Sequence, residues 1–117
     1  MTIEQRSVDS VVVLDLSGRL VLGDGSGLLK DKINSLVLDG HKKIVLNLAG
    51  VPYIDSSGLG EIVRTYTTVS RQGGSLKLLN LTKRITDLLS ITKLLTVFET
   101  HDSEDDAVRS FSASARV

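Results

Sequence analysis

Hydrophobic residues recur along the chain with two different periods. In residues 11–18, "VVVLDLSG", Val12, Leu14 and Leu16 alternate with Val13 and Asp15. A period of two places the first set on one face of a strand. Residues 3–6 predict a short strand before it. Gly18 interrupts the pattern, and residues 19–22 resume it briefly. Residues 44–48 make the best central strand: Ile44, Leu46 and Leu48 share one face, Val45 and Asn47 the other. Both faces are then largely apolar, as expected where helices cover a parallel or mixed sheet on both sides. Leu76, Leu78 and Leu81 mark a further strand region, and residues 94–98 predict the last strand.

Between these segments the period lengthens to that of a helix. Leu28, Leu29, Ile33, Leu36 and Val37 recur at helical spacing, with Lys30, Asp31, Lys32 and Asn34 between them. Gly23-Asp24-Gly25 breaks the chain before this helix, and Asp39-Gly40 ends it, the glycine being suited to a left-handed cap. A second helix follows Gly58, with Leu59, Ile62, Val63, Tyr66 and Val69 facing inward. Glu61, Arg64, Thr65, Thr68 and Arg71 are expected to face water or a partner. Its threonines lower helix propensity, so packing must hold the later turns, and Gln72-Gly73-Gly74 stops it. Thr82 caps a short helix over residues 83–90, carrying Ile85, Leu88 and Leu89 inward. Ser103-Glu104-Asp105-Asp106 opens a final helix docked by Ala107, Val108 and Phe111. Residues 112–117 are expected to form a flexible C-terminal tail. Strands alternating with helices predict one α/β domain over residues 1–117, a mixed β-sheet packed with about four helices.

Composition narrows the function more than the fold. The chain has 117 residues, enough for one core. Its 14 Lys and Arg balance 14 Asp and Glu. No basic stripe runs along it, which disfavours direct nucleic-acid binding. Tryptophan is absent and aromatics are scarce, leaving no stacking platform for single strands. No cysteine is present, which excludes a disulfide scaffold and thiol chemistry. The opening "MTIEQRSVDS" carries Glu4 and Asp9 without a continuous apolar core, and no run elsewhere is long enough for a transmembrane segment. The expectation is a soluble, cytoplasmic protein whose partner is another protein.

Candidate chemistry gathers in residues 42–71, "KKIVLNLAGVPYIDSSGLGEIVRTYTTVSR". Pro52 lacks an amide proton and belongs to the linker after the central strand. Asp55-Ser56-Ser57-Gly58 then joins strand to helix, the one dense cluster of hydroxyl and acidic side chains flanked by apolar elements. Gly58 permits close approach, Ser56 and Ser57 offer hydroxyls, and the helix start offers unpaired amides. A phosphate there would add roughly −1.5 to −2 charges near the positive end of the helix dipole. The same residues equally suit plain helix capping.

The chain resembles the STAS domain family, especially bacterial anti-sigma factor antagonists. The likeness covers nearly the whole length: "LDLSGRL", then "KKIVLNLAGVPYIDSSGLGEI", then "GGSLKLLN" and the short helix after it. "IDSSGLG" after a strand and opening a helix carries the specificity. The resemblance implies a STAS-like fold and a phosphorylation-controlled partner switch. Ser56 matches the phosphoacceptor, with Asp55, Ser57 and Gly58 as its support. The implied partners are an anti-sigma factor with serine kinase activity, using ATP and magnesium, and a metal-dependent serine phosphatase. This chain would be their substrate, without a cofactor of its own and not an enzyme. Gly23, Asp24, Gly25 and Ser26, with Glu61, Arg64, Thr65 and Thr68, are the expected partner surface. The family also includes scaffold domains of signalling assemblies and cytoplasmic subunits of lipid or solute transport complexes, both alternatives to sigma regulation.

One departure stands out. Antagonists commonly carry an acidic residue shortly after "LxGxL", where this chain has Val21, with Asp24 displaced into the glycine-rich loop. That loop lacks the glycine-lysine-hydroxyl ending of a P-loop. His41 and His101 do not form a zinc signature, Asp102, Glu104, Asp105 and Asp106 lack calcium-loop spacing, and "DSSG" lacks the surroundings of a hydrolase nucleophile elbow.

Overall fold

The computed structural model describes residues 1–21 and 26–115. Its elements run β1 (Thr2–Val8), β2 (Val11–Ser17), α1 (Ser26–Leu38), β3 (Lys43–Gly50), α2 (Ser56–Arg71), β4 (Ser75–Leu79), α3 (Lys83–Ile91), β5 (Thr100–His101) and α4 (Glu104–Ala115). The five strands lie in sequence order, β1-β2-β3-β4-β5. β1 is antiparallel to β2 and every other pairing is parallel, so the sheet is mixed.

This order decides where the helices go. Three parallel connections step across the sheet in one direction, and the right-handed rule for such connections puts α1, α2 and α3 on the same face. That face holds the larger core. Val12, Leu14 and Leu16 of β2, Ile44, Leu46 and Leu48 of β3, and Leu76 and Leu78 of β4 meet Leu29, Ile33, Ile62, Val69, Ile85 and Leu89 of the three helices. The opposite face carries Val11, Val13, Val45 and Leu79, covered by Ala107, Val108 and Phe111 of α4. β3, in the middle, is buried on both sides, as its alternation predicts.

Beyond α4 the second face turns polar. Arg6 donates from Nε to Asp15 Oδ2 at 2.6 Å and from Nη2 to Glu104 Oε1 at 2.6 Å. Asn47 Nδ2 donates to Asp15 Oδ1, and Asn80 Nδ2 to Asn47 Oδ1. On the same face Lys77 is buried, its ammonium 2.7 Å from Ser110 Oγ, 2.9 Å from Glu99 Oε2 and 4.2 Å from the centre of the Phe111 ring.

Several local expectations change. Residues 94–98 form turns after α3 and not a strand; the last strand is Thr100–His101. Leu94 and Leu95 still pack on the main core, and Phe98 is buried there against Tyr66. The apolar run therefore reports burial, which alone does not distinguish a strand from a packed turn. Leu28 is exposed, because α1 turns only Leu29, Ile33 and Leu36 fully inward. Of residues 19–22, Leu20 makes a single parallel bridge to Ile54, and Leu22 lies outside the described residues. Helix α4 continues through Ala115, so the expected tail begins as helix; residues 116–117 lie outside those described. β1 and β2 are joined by Asp9-Ser10, both with positive φ, as a tight hairpin turn requires. Gly40 ends α1 as expected: at φ +86° it donates to the Val37 carbonyl while His41 donates to Leu36.

Candidate functional site

The Asp55 turn lies beyond the C-terminal end of the central strand. β3 ends at Gly50, and the chain returns alongside residues 19–20. The Leu20 amide donates to the Tyr53 carbonyl at 3.1 Å, and the Asp55 amide donates to the Leu20 carbonyl at 3.4 Å. Ile54, fully buried, anchors this segment in the core. Asp55 is the N-cap of α2, extended at φ −107° and ψ −176°. Its Oδ1 accepts from the Gly58 amide at 2.8 Å, and its carbonyl accepts from Leu59 at 2.9 Å. One of the free amides at the helix start is thereby satisfied by a carboxylate, and the dipole favours its charge.

Ser56 is the first residue of α2 and is exposed, whereas Ser57 is partly buried and Gly58 buried. The space at Gly58 is already occupied. A β-carbon there would overlap the Leu20 carbonyl oxygen and stand 2.9 Å from Ile54 Cγ1. Gly58 therefore lets a backbone segment pack against the helix start and does not hold the site open for a partner. Among the described residues, no group of three His, Cys, Asp or Glu side chains converges as a metal site.

A family model for the STAS domain matches residues 2–107. The chain belongs to the STAS domain family. Among STAS proteins it groups with the anti-sigma factor antagonists. It is 37% identical over 82 residues to the anti-sigma-B factor antagonist of Bacillus subtilis, covering 70% of this chain and 74% of that protein. Its fold matches the crystal structure of the Thermotoga maritima protein TM1081, a candidate anti-sigma factor antagonist, with a TM-score of 0.85 and 28% identity over 92% of each chain. The fold also matches phosphorylated Bacillus SpoIIAA, with a TM-score of 0.73 over 94% of this chain and 99% of that one; at 20% identity this likeness concerns the fold.

In this STAS domain the expected partner surface divides. Gly23, Asp24 and Gly25 lie outside the described residues, and Ser26 is the first residue of α1. On α2, Arg64 is exposed and Thr68 partly so. Glu61 and Thr65, expected to face outward, are buried, with 5% and 2% exposure. The reason is that α1 lies beside α2, so the helix is covered from two directions and its buried arc is wider than one stripe. Thr65 Oγ1 donates to the Ile62 carbonyl at 2.8 Å, and Glu61 Oε2 accepts from Arg64 at 3.0 Å. A cavity of about 320 Å³ lies there, lined by Lys30 and Asn34 of α1 and Glu61, Arg64, Thr68 and Arg71 of α2.

Sequence reasoning missed the ring of charge beside the turn. Tyr53 is 37% exposed, with the guanidinium carbons of Arg19 and Arg84 at 5.3 and 4.7 Å from its ring centre. These residues are far apart in sequence, and no periodic pattern links them. Among the described residues, no helix is long and apolar enough to cross a membrane.

Proposed function

We propose that this chain is an anti-sigma factor antagonist acting in the cytoplasm, switched by reversible phosphorylation of Ser56. Its partner is an anti-sigma factor with serine kinase activity, which releases its sigma factor on binding the unmodified chain. The observation that carries this reading is the exposed Ser56 at the first position of α2, beside an N-cap supplied by Asp55 and not by Ser56 itself. Membership of the antagonist family supports it, as does the existence of SpoIIAA in a phosphorylated form.

In the transfer, Ser56 Oγ attacks the γ-phosphorus of magnesium-bound ATP on the kinase. The new O–P bond forms as the bond to ADP breaks, and the hydroxyl proton passes to a base on the kinase. The chain itself is a substrate and not an enzyme. The added dianion then repels and desolvates poorly in an interface formed around a neutral hydroxyl, so the complex weakens. A metal-dependent serine phosphatase reverses the change. Asp55 and Gly58 support the site by fixing the turn, and Ser57 completes its first helical residues.

The test is peptide-resolved mass spectrometry after incubation with ATP, magnesium and the kinase-like anti-sigma factors of the same organism, with Ser56→Ala as control. One phosphate on Ser56, accompanied by weaker binding, is the expected result. Tight binding without modification would instead indicate a constitutive scaffold and overturn the switch.

A further inference from the structure

Two arginines from separate parts of the chain converge on one exposed tyrosine beside the Ser56 turn. Arg19 follows β2, Arg84 is the second residue of α3, and both guanidinium groups stand over Tyr53. Among the described residues neither has a carboxylate at ion-pair distance. Two like charges gathered over one ring repel, and an aromatic face offsets only about 0.5–1 kcal/mol for each at an exposed site. Among the described residues, the cluster thus holds positive charge that no carboxylate neutralises.

The backbone ties this cluster to Ser56. The hydrogen bonds of Leu20 to Tyr53 and Asp55 hold residue 19 alongside the turn, and Ser56 follows Tyr53 by three positions. Even a fully extended chain separates those two Cα atoms by no more than about 11 Å. Tyr53 is exposed on this extended segment while Ile54 is buried in the core.

We propose that Arg19 and Arg84 are the receptor, within the same chain, for a phosphate carried by Ser56. The inference rests on the reading of Ser56 as phosphoacceptor and adds to it a cationic readout of the modification. Guanidinium groups are suited to this task because their planar donor pairs match phosphate oxygens, and they remain charged at any physiological pH. Phosphorylation then changes the surface twice. It adds negative charge at Ser56, and it draws two positive charges away from what the partner meets. Asp55, the residue before Ser56, carries a carboxylate that accepts from the Gly58 amide.

The experiment installs phosphoserine at position 56 during translation, without any kinase, and follows its second ionisation by phosphorus NMR. Nearby cations favour the dianion, so the apparent pKa of the unsubstituted chain is expected roughly 0.5–1 unit below that of Arg19→Gln/Arg84→Gln. Each single substitution is expected to give part of the shift, which keeps the test usable should the double variant fold poorly. Asp55 and the helix end are common to all forms. A charge-matched control, Arg71→Gln/Arg109→Gln, is expected to titrate like the unsubstituted chain. Equal titration with and without Arg19 and Arg84, or an equal shift in the control, overturns the receptor. Failure of every kinase to modify Ser56 would instead overturn the phosphoacceptor reading, and the two failures are distinguishable.

Discussion

Gly58 Cα sits directly against the carbonyl of Leu20: a β-carbon built there would overlap the oxygen and lie 2.8 Å from the carbonyl carbon. The same carbonyl accepts the Asp55 amide, so the chain around Leu20 serves as the floor of the turn. Gly58→Ala is expected to force this floor away and to cost about 2–4 kcal/mol in urea unfolding. Gly60, two residues further along α2, is the control. A β-carbon there would meet nothing closer than the Arg64 guanidinium at 3.5 Å. Gly60→Ala should therefore be neutral or stabilise by about 0.5–1 kcal/mol through helix propensity alone. Equal effects at the two positions would contradict the close-packing account.

The Asp55 cap makes a second prediction on the same element. Asp55→Ala removes the acceptor of the Gly58 amide and is expected to cost about 1 kcal/mol, with faster exchange of the Gly58 amide proton. Asp55→Asn keeps an acceptor oxygen and should recover most of the loss. If Asn were no better than Ala, the carboxylate's charge and not its hydrogen bond would be the source of the stability.

The Arg6–Asp15–Glu104 cluster predicts how stability responds to acid. Its hydrogen bond from Arg6 holds the Asp15 carboxyl below its usual value; partial burial opposes this, and the bond from Asn47 adds to it. The hydrogen bonds to Asp15 and Glu104 in turn push the Arg6 guanidinium up, against a smaller opposing effect of burial. Because the folded value of Asp15 is depressed, its contribution is present above the unfolded value of about 4 and is lost as pH falls through the folded value. Glu99 has the same sign: burial pushes it up, but bonds from Lys77 and His101 outweigh that and hold it low. Asp15→Asn is expected to lower the melting temperature near neutral pH and to flatten, without abolishing, its decline below about pH 4. An unchanged acid limb would show that the cluster does not couple to folding.

How much of this was legible in the chain differs by element. β2, β3 and α2 were readable because alternation and helical spacing each ran for several residues on a buried face. The Asp55 cap was readable for a local reason, since cap and amide lie three residues apart. The burial of Glu61 and Thr65 was not, because it depends on α1 lying beside α2, which no window within α2 records. Lys77 lies between Leu76 and Leu78, and strand alternation alone puts it on the face opposite theirs without saying what covers that face. It is buried because α4, more than twenty residues later, supplies Ser110 and Phe111 around its ammonium. The convergence of Arg19 and Arg84 on Tyr53 is likewise a product of sheet order, through which residues 19, 53 and 84 become neighbours.

Glu61 provides the last test, because its environment is poor for a carboxylate. Its side chain is 6% exposed; Oε2 has Arg64, but Oε1 is buried with no hydrogen-bond partner among the described residues. The Arg64 side chain is 67% exposed, so water screens the pair, and such pairs contribute about 0–1 kcal/mol. Leaving a carboxylate oxygen unpaired in the interior costs more than that. Glu61→Met, which fills a similar volume without the charge, is therefore expected to be as stable as the natural chain or more stable by about 1 kcal/mol in urea unfolding. A clear loss of stability would show that the Arg64 pair outweighs the desolvation. The same variant should bind the anti-sigma partner more weakly if the α1–α2 cavity is part of the interface, since a residue kept at a cost to folding is best accounted for by what it does in the complex. Greater stability with undiminished binding would remove the cavity from the partner surface and leave the Ser56 end of α2 to carry recognition.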